Sequence, residues 1–168
     1  MDRLILMRHA RAERRSAGGD DIDRALTEEG RADAAIVARA LAADGLTPNA
    51  VLVSPARRTE ETWEAVREVF PKARGETVRA LYNAPPMVIL DALEGVRGAT
   101  VLVIGHNPGI HDLAVGLLKE GGAGSAVLGK VASRFPTATA VAFVVDENGR
   151  AFYDGVFYAA DHGGSGGE

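Results

Sequence analysis

Polar and charged side chains directly follow three short apolar runs of this 168-residue chain. The three clusters are Arg8-His9, Ser54-Pro55-Ala56-Arg57-Arg58 and His106-Asn107. A guanidinium group can contact two oxygens of one phosphoryl group, and a neutral imidazole is a competent nucleophile. If the fold brings the clusters together, a histidine can attack phosphorus while arginines hold the phosphoryl oxygens.

The sequence offers little support for a thiol or metal mechanism. It contains no Cys, which excludes disulfides, thiol nucleophiles and thiolate metal sites. No cluster of Asp and His has the spacing of metal ligands, and a pocket rich in arginine would repel a divalent cation. We therefore expect metal-independent catalysis that uses no cofactor.

The three clusters can meet only if strands end side by side. Residues 4–7, 50–53 and 100–104 are apolar runs that are typical of strands buried on both faces. Two more strands are predicted over 139–145 and 151–158. Strands that alternate with helices predict a three-layer α/β/α sandwich with a mostly parallel central sheet. Ligands of such sheets bind beyond the carboxyl ends of the strands, where all three clusters lie.

Helices are predicted between these strands. One begins with Thr27 as its capping residue and ends at Gly45, and another follows the second cluster and closes at Pro71. A short strand is predicted over residues 77–81. Residues 121–129 are rich in Gly and Ala and are predicted to form a flexible loop.

Length and charge set limits on the whole chain. The length fits one domain, which we place at residues 1–160, followed by a flexible Gly-rich tail over 161–168. The formal net charge of -4 argues against non-specific binding to nucleic acid. Apolar runs are too short for a signal-peptide core or a membrane span, so we expect a soluble cytoplasmic protein without a membrane partner.

Four motifs in the chain resemble those of the histidine phosphatase superfamily, which has the phosphoglycerate-mutase-like fold. They follow the family's order and cover residues 4–10, 26–30, 54–62 and 103–109. The last motif, Val-Ile-Gly-His-Asn-Pro-Gly, has the form found in the small phosphohistidine phosphatase (SixA-like) branch. With the later strands, the resemblance extends over nearly the whole chain.

This resemblance implies a mechanism and the residues that perform it. His9 would attack phosphorus in line and form a phosphohistidine, which water would then hydrolyse. Arg8, Arg58 and His106 would hold the phosphoryl group through the transition state. Asn107 is a further candidate for phosphate binding. The implied substrate is a phosphorylated protein or a small phosphorylated molecule.

The chain departs from the family pattern in two places. Ala10 stands where the family usually has Gly after the catalytic histidine, a variant that is common in the small branch. Residues 80–84 hold no carboxylate, whereas larger relatives place a general acid in the corresponding stretch. A phosphohistidine needs less help with its leaving group than an alkyl phosphate. We therefore predict a phosphohistidine substrate and poor turnover of simple alkyl phosphates.

Other interpretations are open at this point. The chain could be a phosphatase of small phosphorylated metabolites, a mutase-type phosphotransferase or a non-catalytic phosphate sensor. Arg58 could be an exposed helical residue paired with Glu61 or Glu64. His9 could be a structural histidine whose ring is satisfied by hydrogen bonds. The acidic residues between positions 13 and 23 are expected to form a solvated loop rather than the mouth of the pocket.

Overall fold

The computed structural model describes residues 1–167 and contains six strands and five α-helices. The strands are β1 (Arg3–Arg8), β2 (Ala50–Val53), β3 (Arg74–Thr77), β4 (Thr100–Gly105), β5 (Ala140–Val145) and β6 (Ala151–Phe157). The helices are α1 (Glu28–Ala43), α2 (Arg57–Val69), α3 (Pro86–Leu93), α4 (Gly109–Glu120) and α5 (Ser125–Ser133). Short 3-10 turns occupy Asp21–Asp23, Arg79–Leu81 and Ala159–His162.

The six strands form a single sheet in the order β3-β2-β4-β1-β5-β6. The first four strands of this order run parallel, and β5 is antiparallel to both of its neighbours. Arg8 lies opposite Gly105, and Val53 lies opposite Ile104. The carboxyl ends of β1, β4 and β2 therefore lie side by side, with β4 in the middle.

Apolar residues of β1 alternate between two cores because successive side chains of a strand point to opposite faces. Ile5 and Met7 belong to a core that also contains buried residues of α1 and α2. Leu4 and Leu6 belong to a second core, which contains buried residues of α3, α4 and α5. This arrangement confirms the predicted three-layer α/β/α sandwich.

The predicted bounds of the first helix are close to those of α1. Thr27 is the capping residue, and its Oγ1 accepts a hydrogen bond of 2.9 Å from the backbone N–H of Gly30. Gly45 follows the helix with a φ of 75°, a conformation that side-chain-bearing residues rarely adopt.

Two predicted elements are wrong. The strand expected over residues 77–81 is displaced, because β3 ends at Thr77 and a 3-10 turn follows it. Every residue of β3 is exposed, so no apolar pattern reveals this edge strand. The loop expected over 121–129 contains the start of α5, which packs Val127, Leu128 and Val131 against the second core. Tertiary packing thus outweighs the flexible composition of this segment.

The segment after residue 160, predicted to be a flexible tail, contacts the first helix. Ser165 donates from its backbone N–H and its hydroxyl to the two carboxylate oxygens of Asp33, at 2.8 and 2.6 Å. Asp33 is buried in α1. The described part of the tail, residues 161–167, is therefore joined to the first helix layer, and residue 168 lies outside the described residues.

Within residues 1–167, no helix is both long enough and apolar enough to cross a membrane.

Replacement of Gly109 by alanine should destabilise the fold, because an added Cβ would lie 1.8 Å from the backbone oxygen of Ala84. We expect a loss of roughly 2 kcal/mol in the free energy of unfolding, the usual size for an overpacked position. Urea denaturation measures it. Gly116→Ala is the matched control in the same helix, where a Cβ meets no atom within 4 Å. It should be neutral or stabilising by up to about 1 kcal/mol, and equal effects of the two changes would contradict the prediction.

Candidate active site

The predicted site residues converge at the carboxyl ends of the parallel strands. Arg8 ends β1 and His9 follows it, while His106 directly follows β4 and Arg58 lies in the first turn of α2. The rings of His9 and His106 are 5.4 Å apart between centroids, and Arg58 contacts His106. Asn107 follows His106 and is half-buried. The structure thus brings all five predicted residues to one end of the sheet.

The His9 ring has a defined orientation and protonation state. Its Nδ1 lies 2.7 Å from the backbone oxygen of Ala10. Because a carbonyl oxygen can only accept, Nδ1 must carry the proton, which leaves Nε2 with a free lone pair. The pKa of His9 is lowered to about 3, chiefly by burial and to a smaller extent by His106, Arg58 and Arg8, against the Ala10 hydrogen bond, which raises it. The ring is neutral at physiological pH and is available as a nucleophile.

His106 is neutral for related reasons but has the opposite tautomer. Its Nδ1 accepts from Arg58 Nη2 at 3.2 Å, since a guanidinium can only donate. Its Nε2 therefore carries the proton and donates to Ser54 Oγ at 2.7 Å. Burial, followed by the charge of Arg58, lowers the pKa of His106 to about 3. In this arrangement the His106 ring links the Ser54 hydroxyl to the Arg58 guanidinium.

Arg58 is buried, which rules out the alternative of an exposed surface residue. Its side chain is 3% exposed and its ion pair is with Asp21 rather than with Glu61 or Glu64. Nη1 donates to the backbone oxygen of Asp21 at 2.9 Å, and Nη2 donates to the Asp21 carboxylate at 3.1 Å. The buried Nε has no hydrogen-bond partner among the described residues. Such an unpaired buried donor is costly unless a ligand accepts from it.

Arg8 and Asn107 are joined through one carbonyl group. Arg8 Nη1 and Asn107 Nδ2 both donate to the backbone oxygen of Phe135, at 3.0 and 3.1 Å. Arg8 Nε and Asn107 Oδ1 are buried without a partner among the described residues. Desolvation and the charge of Arg58 lower the pKa of Arg8, although the group stays protonated in proteins. Two unpaired guanidinium donors therefore lie near the His9 ring.

Sequence reasoning missed Asp21 and Tyr82. Asp21, expected in a solvated loop, accepts from Arg58 and from the Tyr82 hydroxyl. The edge of the Tyr82 ring also packs against His106, with centroids 5.5 Å apart. The Tyr82 hydrogen bond, with help from Arg58 and Arg24, lowers the Asp21 pKa to about 2. Asp21 is therefore ionised, and it neutralises part of the arginine charge.

Arg24 is a third residue that the sequence analysis did not single out. Its Nε donates to Asp21 at 2.9 Å, and its Nη1 donates to the backbone oxygen of Glu13 at 3.0 Å. Arg24 stands two residues before the motif that starts at Leu26, and this position could have marked it as a candidate site residue. Nothing in the local sequence marks Asp21, which reaches Arg58 only through the path of the loop.

Helix α2 fixes the backbone directly after β1, where His9 lies. Thr62 Oγ1 accepts from the backbone N–H of Ala10 at 3.0 Å and donates to the Arg58 carbonyl at 2.7 Å. One turn of helix therefore holds both the residue after His9 and the backbone of Arg58. Glu61 Oε1 accepts from the backbone N–H of Leu26 at 2.9 Å, which ties the same helix to the segment before α1.

A cavity of about 620 Å³ opens beside the site and has Arg8 and His9 in its wall. Most of its other polar lining residues are arginines, namely Arg11, Arg14, Arg15 and Arg24. Within residues 1–167, no group of three His, Cys, Asp or Glu side chains is arranged to hold a metal ion.

Comparison with known proteins identifies a family model and relatives that match this chain. The model of the histidine phosphatase superfamily (branch 1) matches residues 4–78. An uncharacterized chloroplastic protein of Arabidopsis thaliana is 32% identical over 124 residues, which cover 67% of this chain and 57% of that protein. An uncharacterized protein of Mycobacterium tuberculosis is 31% identical over 134 residues, which cover 79% of this chain and 82% of that protein.

A solved structure agrees with the family match. The protein histidine phosphatase SixA, complexed with tungstate, superposes with a TM-score of 0.76 and 26% identity, and the match covers 95% of this chain and 98% of that chain. The chain belongs to the histidine phosphatase superfamily. Within it, the chain is a phosphatase of the histidine phosphatase type in the SixA-like branch, and the fold is the phosphoglycerate-mutase-like one.

Acidification from pH 7 to about 4.5 should lower the free energy of unfolding. The unfolded chain takes up protons on His9 and His106 near the ordinary pKa of 6.5, whereas in the fold both rings stay neutral until about pH 3. Stability from this source is present above pH 6.5 and is lost as the pH falls toward 3. Urea denaturation at the two pH values measures the loss. In His9→Gln the loss of stability should be smaller. An undiminished loss would contradict the lowered pKa of His9.

Proposed function

We propose that this chain is a metal-independent phosphohydrolase that works through a phosphohistidine on His9, with phosphohistidine in proteins as its substrate. The observation that carries the proposal is the neutral His9 ring, whose Nδ1–H is held by the Ala10 carbonyl and whose Nε2 is free. A histidine with this tautomer beside the buried Arg58 and the half-buried Arg8 is suited to attack a phosphoryl group.

In the first step, the Nε2 lone pair of His9 forms a bond to phosphorus as the bond to the leaving nitrogen breaks. The leaving nitrogen takes that electron pair, and the other nitrogen of the leaving ring carries a proton acquired from solvent, so the ring departs as neutral imidazole. In the second step, water attacks the phosphohistidine, the bond from nitrogen to phosphorus breaks, and the pair returns to Nε2. The water gives up a proton, and inorganic phosphate is released.

Three residues are proposed to hold the phosphoryl oxygens through both steps. The unpaired Nε groups of Arg8 and Arg58 supply donors that the protein itself does not satisfy. Fixed donors of this kind stabilise the charge of the transition state without reorganisation. His106 lies against Arg58, and its one N–H would have to leave Ser54 to donate to a phosphoryl oxygen. Asn107 remains a further candidate through its Nδ2, which donates to the same Phe135 carbonyl as Arg8, since its Oδ1 can only accept.

The state of Asp21 supports a substrate with a good leaving group. This carboxylate lies at the site, but its pKa of about 2 keeps it ionised, so it is poorly suited to protonate a leaving atom near neutral pH. A phosphohistidine is activated by protonation of its own ring and makes no such demand. The SixA protein bound to tungstate, a tetrahedral oxyanion like phosphate, supports the same substrate class. A cytoplasmic location stays a prediction.

His9→Ala should abolish turnover of a phosphohistidyl peptide while phosphate binding is partly retained, because the nucleophile is lost and both arginines stay. Intact mass spectrometry after brief incubation and alkaline quenching should detect one added phosphoryl group on the wild-type protein. The adduct should map to His9 and be absent from His9→Ala. His111→Ala, which alters a half-buried histidine bonded to the Val131 carbonyl, is the matched control and should keep the adduct.

Assays with several substrates distinguish the proposed function from a metabolite phosphatase, a mutase and a phosphate sensor. Slow hydrolysis of alkyl phosphates and unchanged activity in excess chelator are expected. Fast hydrolysis of alkyl phosphates would favour a phosphatase of small metabolites, and transfer to an added phosphoglycerate would favour a mutase. Binding of phosphate with neither adduct nor phosphate release on any substrate would indicate a sensor. Full activity of His9→Ala would refute the mechanism.

Asp21→Asn should tighten the binding of inorganic phosphate about threefold, the usual scale for a partly exposed charge pair. The Asp21 carboxylate occupies the guanidinium that is proposed to bind the phosphoryl group, and asparagine keeps an oxygen acceptor without the charge. The inhibition constant of phosphate measures the effect. Asp23→Asn, in the same exposed turn, changes the net charge equally. An equal effect in both variants would show that no specific competition exists.

A further inference from the structure

The cavity beside His9 carries far more positive charge than one phosphoryl group requires. Five arginines line it together with a single carboxylate, that of Glu13. The whole chain has a formal net charge of -4, so the arginines are concentrated here against the overall balance. Clefts lined by one sign of charge raise the local concentration of ions of the opposite sign.

The arginines of this cavity differ in how far the protein itself neutralises them. Arg11 pairs with Glu29 at 3.0 Å, and Arg24 pairs with Asp21 at 2.9 Å. Arg14 and Arg15 are exposed and form no ion pair within residues 1–167. Two adjacent guanidinium groups at the cavity wall are therefore free to bind an external anion.

Two residues of the wall have a buried polar atom without a hydrogen-bond partner among the described residues. Thr137 lines the cavity and is 4% exposed, yet its Oγ1 has no hydrogen-bond partner among the described residues. Arg8, in the same wall, also has an unpaired buried Nε. Buried polar groups are normally paired, so either atom would gain a partner if its side chain turned toward an oxyanion in the cavity. The oxygens of a phosphate or carboxylate would accept from both groups.

We infer that this cavity is a second anion subsite, which binds a phosphate or carboxylate group carried by the leaving part of the substrate. The inference rests on the proposed function, since it takes the reacting phosphoryl group to lie at His9. The cavity volume of about 620 Å³ is within the range of small-ligand pockets. Guanidinium groups bind phosphate and carboxylate oxygens in pairs, which is the chemistry that the wall offers.

Two sources of the second anion share this chemistry. One is an acidic side chain beside a phosphohistidine in a protein, and the other is a second phosphate group in a small molecule. In both cases Arg14 and Arg15 would contact the substrate before and during the reaction. Uniform binding of this kind acts mainly on KM and leaves kcat nearly unchanged.

The test uses the double variant Arg14→Gln/Arg15→Gln on the full chain. One probe pair is a phosphohistidyl peptide with two flanking Glu residues and its counterpart with two Gln residues. The second pair is methylenediphosphonate, which cannot be hydrolysed, and methylphosphonate, with affinities measured by calorimetry. The control is Arg67→Gln/Arg97→Gln, which removes two exposed arginines away from the cavity.

The wild-type protein should prefer the member of at least one pair that carries the second anion. The Arg14→Gln/Arg15→Gln variant should lose about fivefold in kcat/KM or affinity for that member, through KM, and keep wild-type values for its counterpart. A preference confined to the Glu peptide supports the protein source, and one confined to the diphosphonate supports the small-molecule source. Equal values for both members of both pairs, or equal losses in the control, would overturn the subsite. Because the calorimetry needs no turnover, an inactive protein that still prefers the diphosphonate would refute the proposed function and retain the subsite.

Discussion

The hydrogen bond from His9 Nδ1 to the carbonyl of Ala10 is the contact on which the site depends. It selects one of two imidazole tautomers, which an isolated histidine populates together, and so places the free lone pair on Nε2. The carbonyl can do this only if its peptide is fixed. Thr62 holds the N–H of Ala10 and is itself anchored on the Arg58 carbonyl. The orientation of the His9 ring, the proposed nucleophile, therefore depends on the packing of α2 against the end of β1.

The same packing concentrates positive charge around a ring that must stay neutral. Arg58 is buried and Arg8 is half-buried, and each lowers the pKa of His9. Buried charges without full compensation are unfavourable, and the protein relieves part of the cost through Asp21 and through the Phe135 carbonyl. The rest remains as unpaired donors. Binding of a phosphoryl dianion would satisfy them, so the incomplete pairing of these arginines favours the binding of an anion.

Much of the fold and part of the candidate site could be predicted from the sequence. Strands buried on both faces appear in the sequence as apolar runs. The residues that follow such strands lie at one edge of a parallel sheet, and this rule predicts the positions of Arg8, His9 and His106. The edge strand β3 is exposed along its whole length and leaves no such pattern. Helix α5 was missed because its packing against the second core, and not its composition, stabilises it. Asp21 and Tyr82 meet across 61 residues of sequence, and only the path of the chain brings them together.

The loop between β1 and α1 links the two anion-binding regions in one segment. Asp21 is shared by Arg58 at the reaction site and Arg24 in the cavity wall. A phosphoryl group that displaced the carboxylate from Arg58 would also change the charge beside Arg24. The 3-10 turn at Asp21–Asp23 has no buried residue and no side-chain cap, so little packing opposes its displacement. An anion in either region competes with Asp21 for a guanidinium group, so this carboxylate is the group that the two regions share.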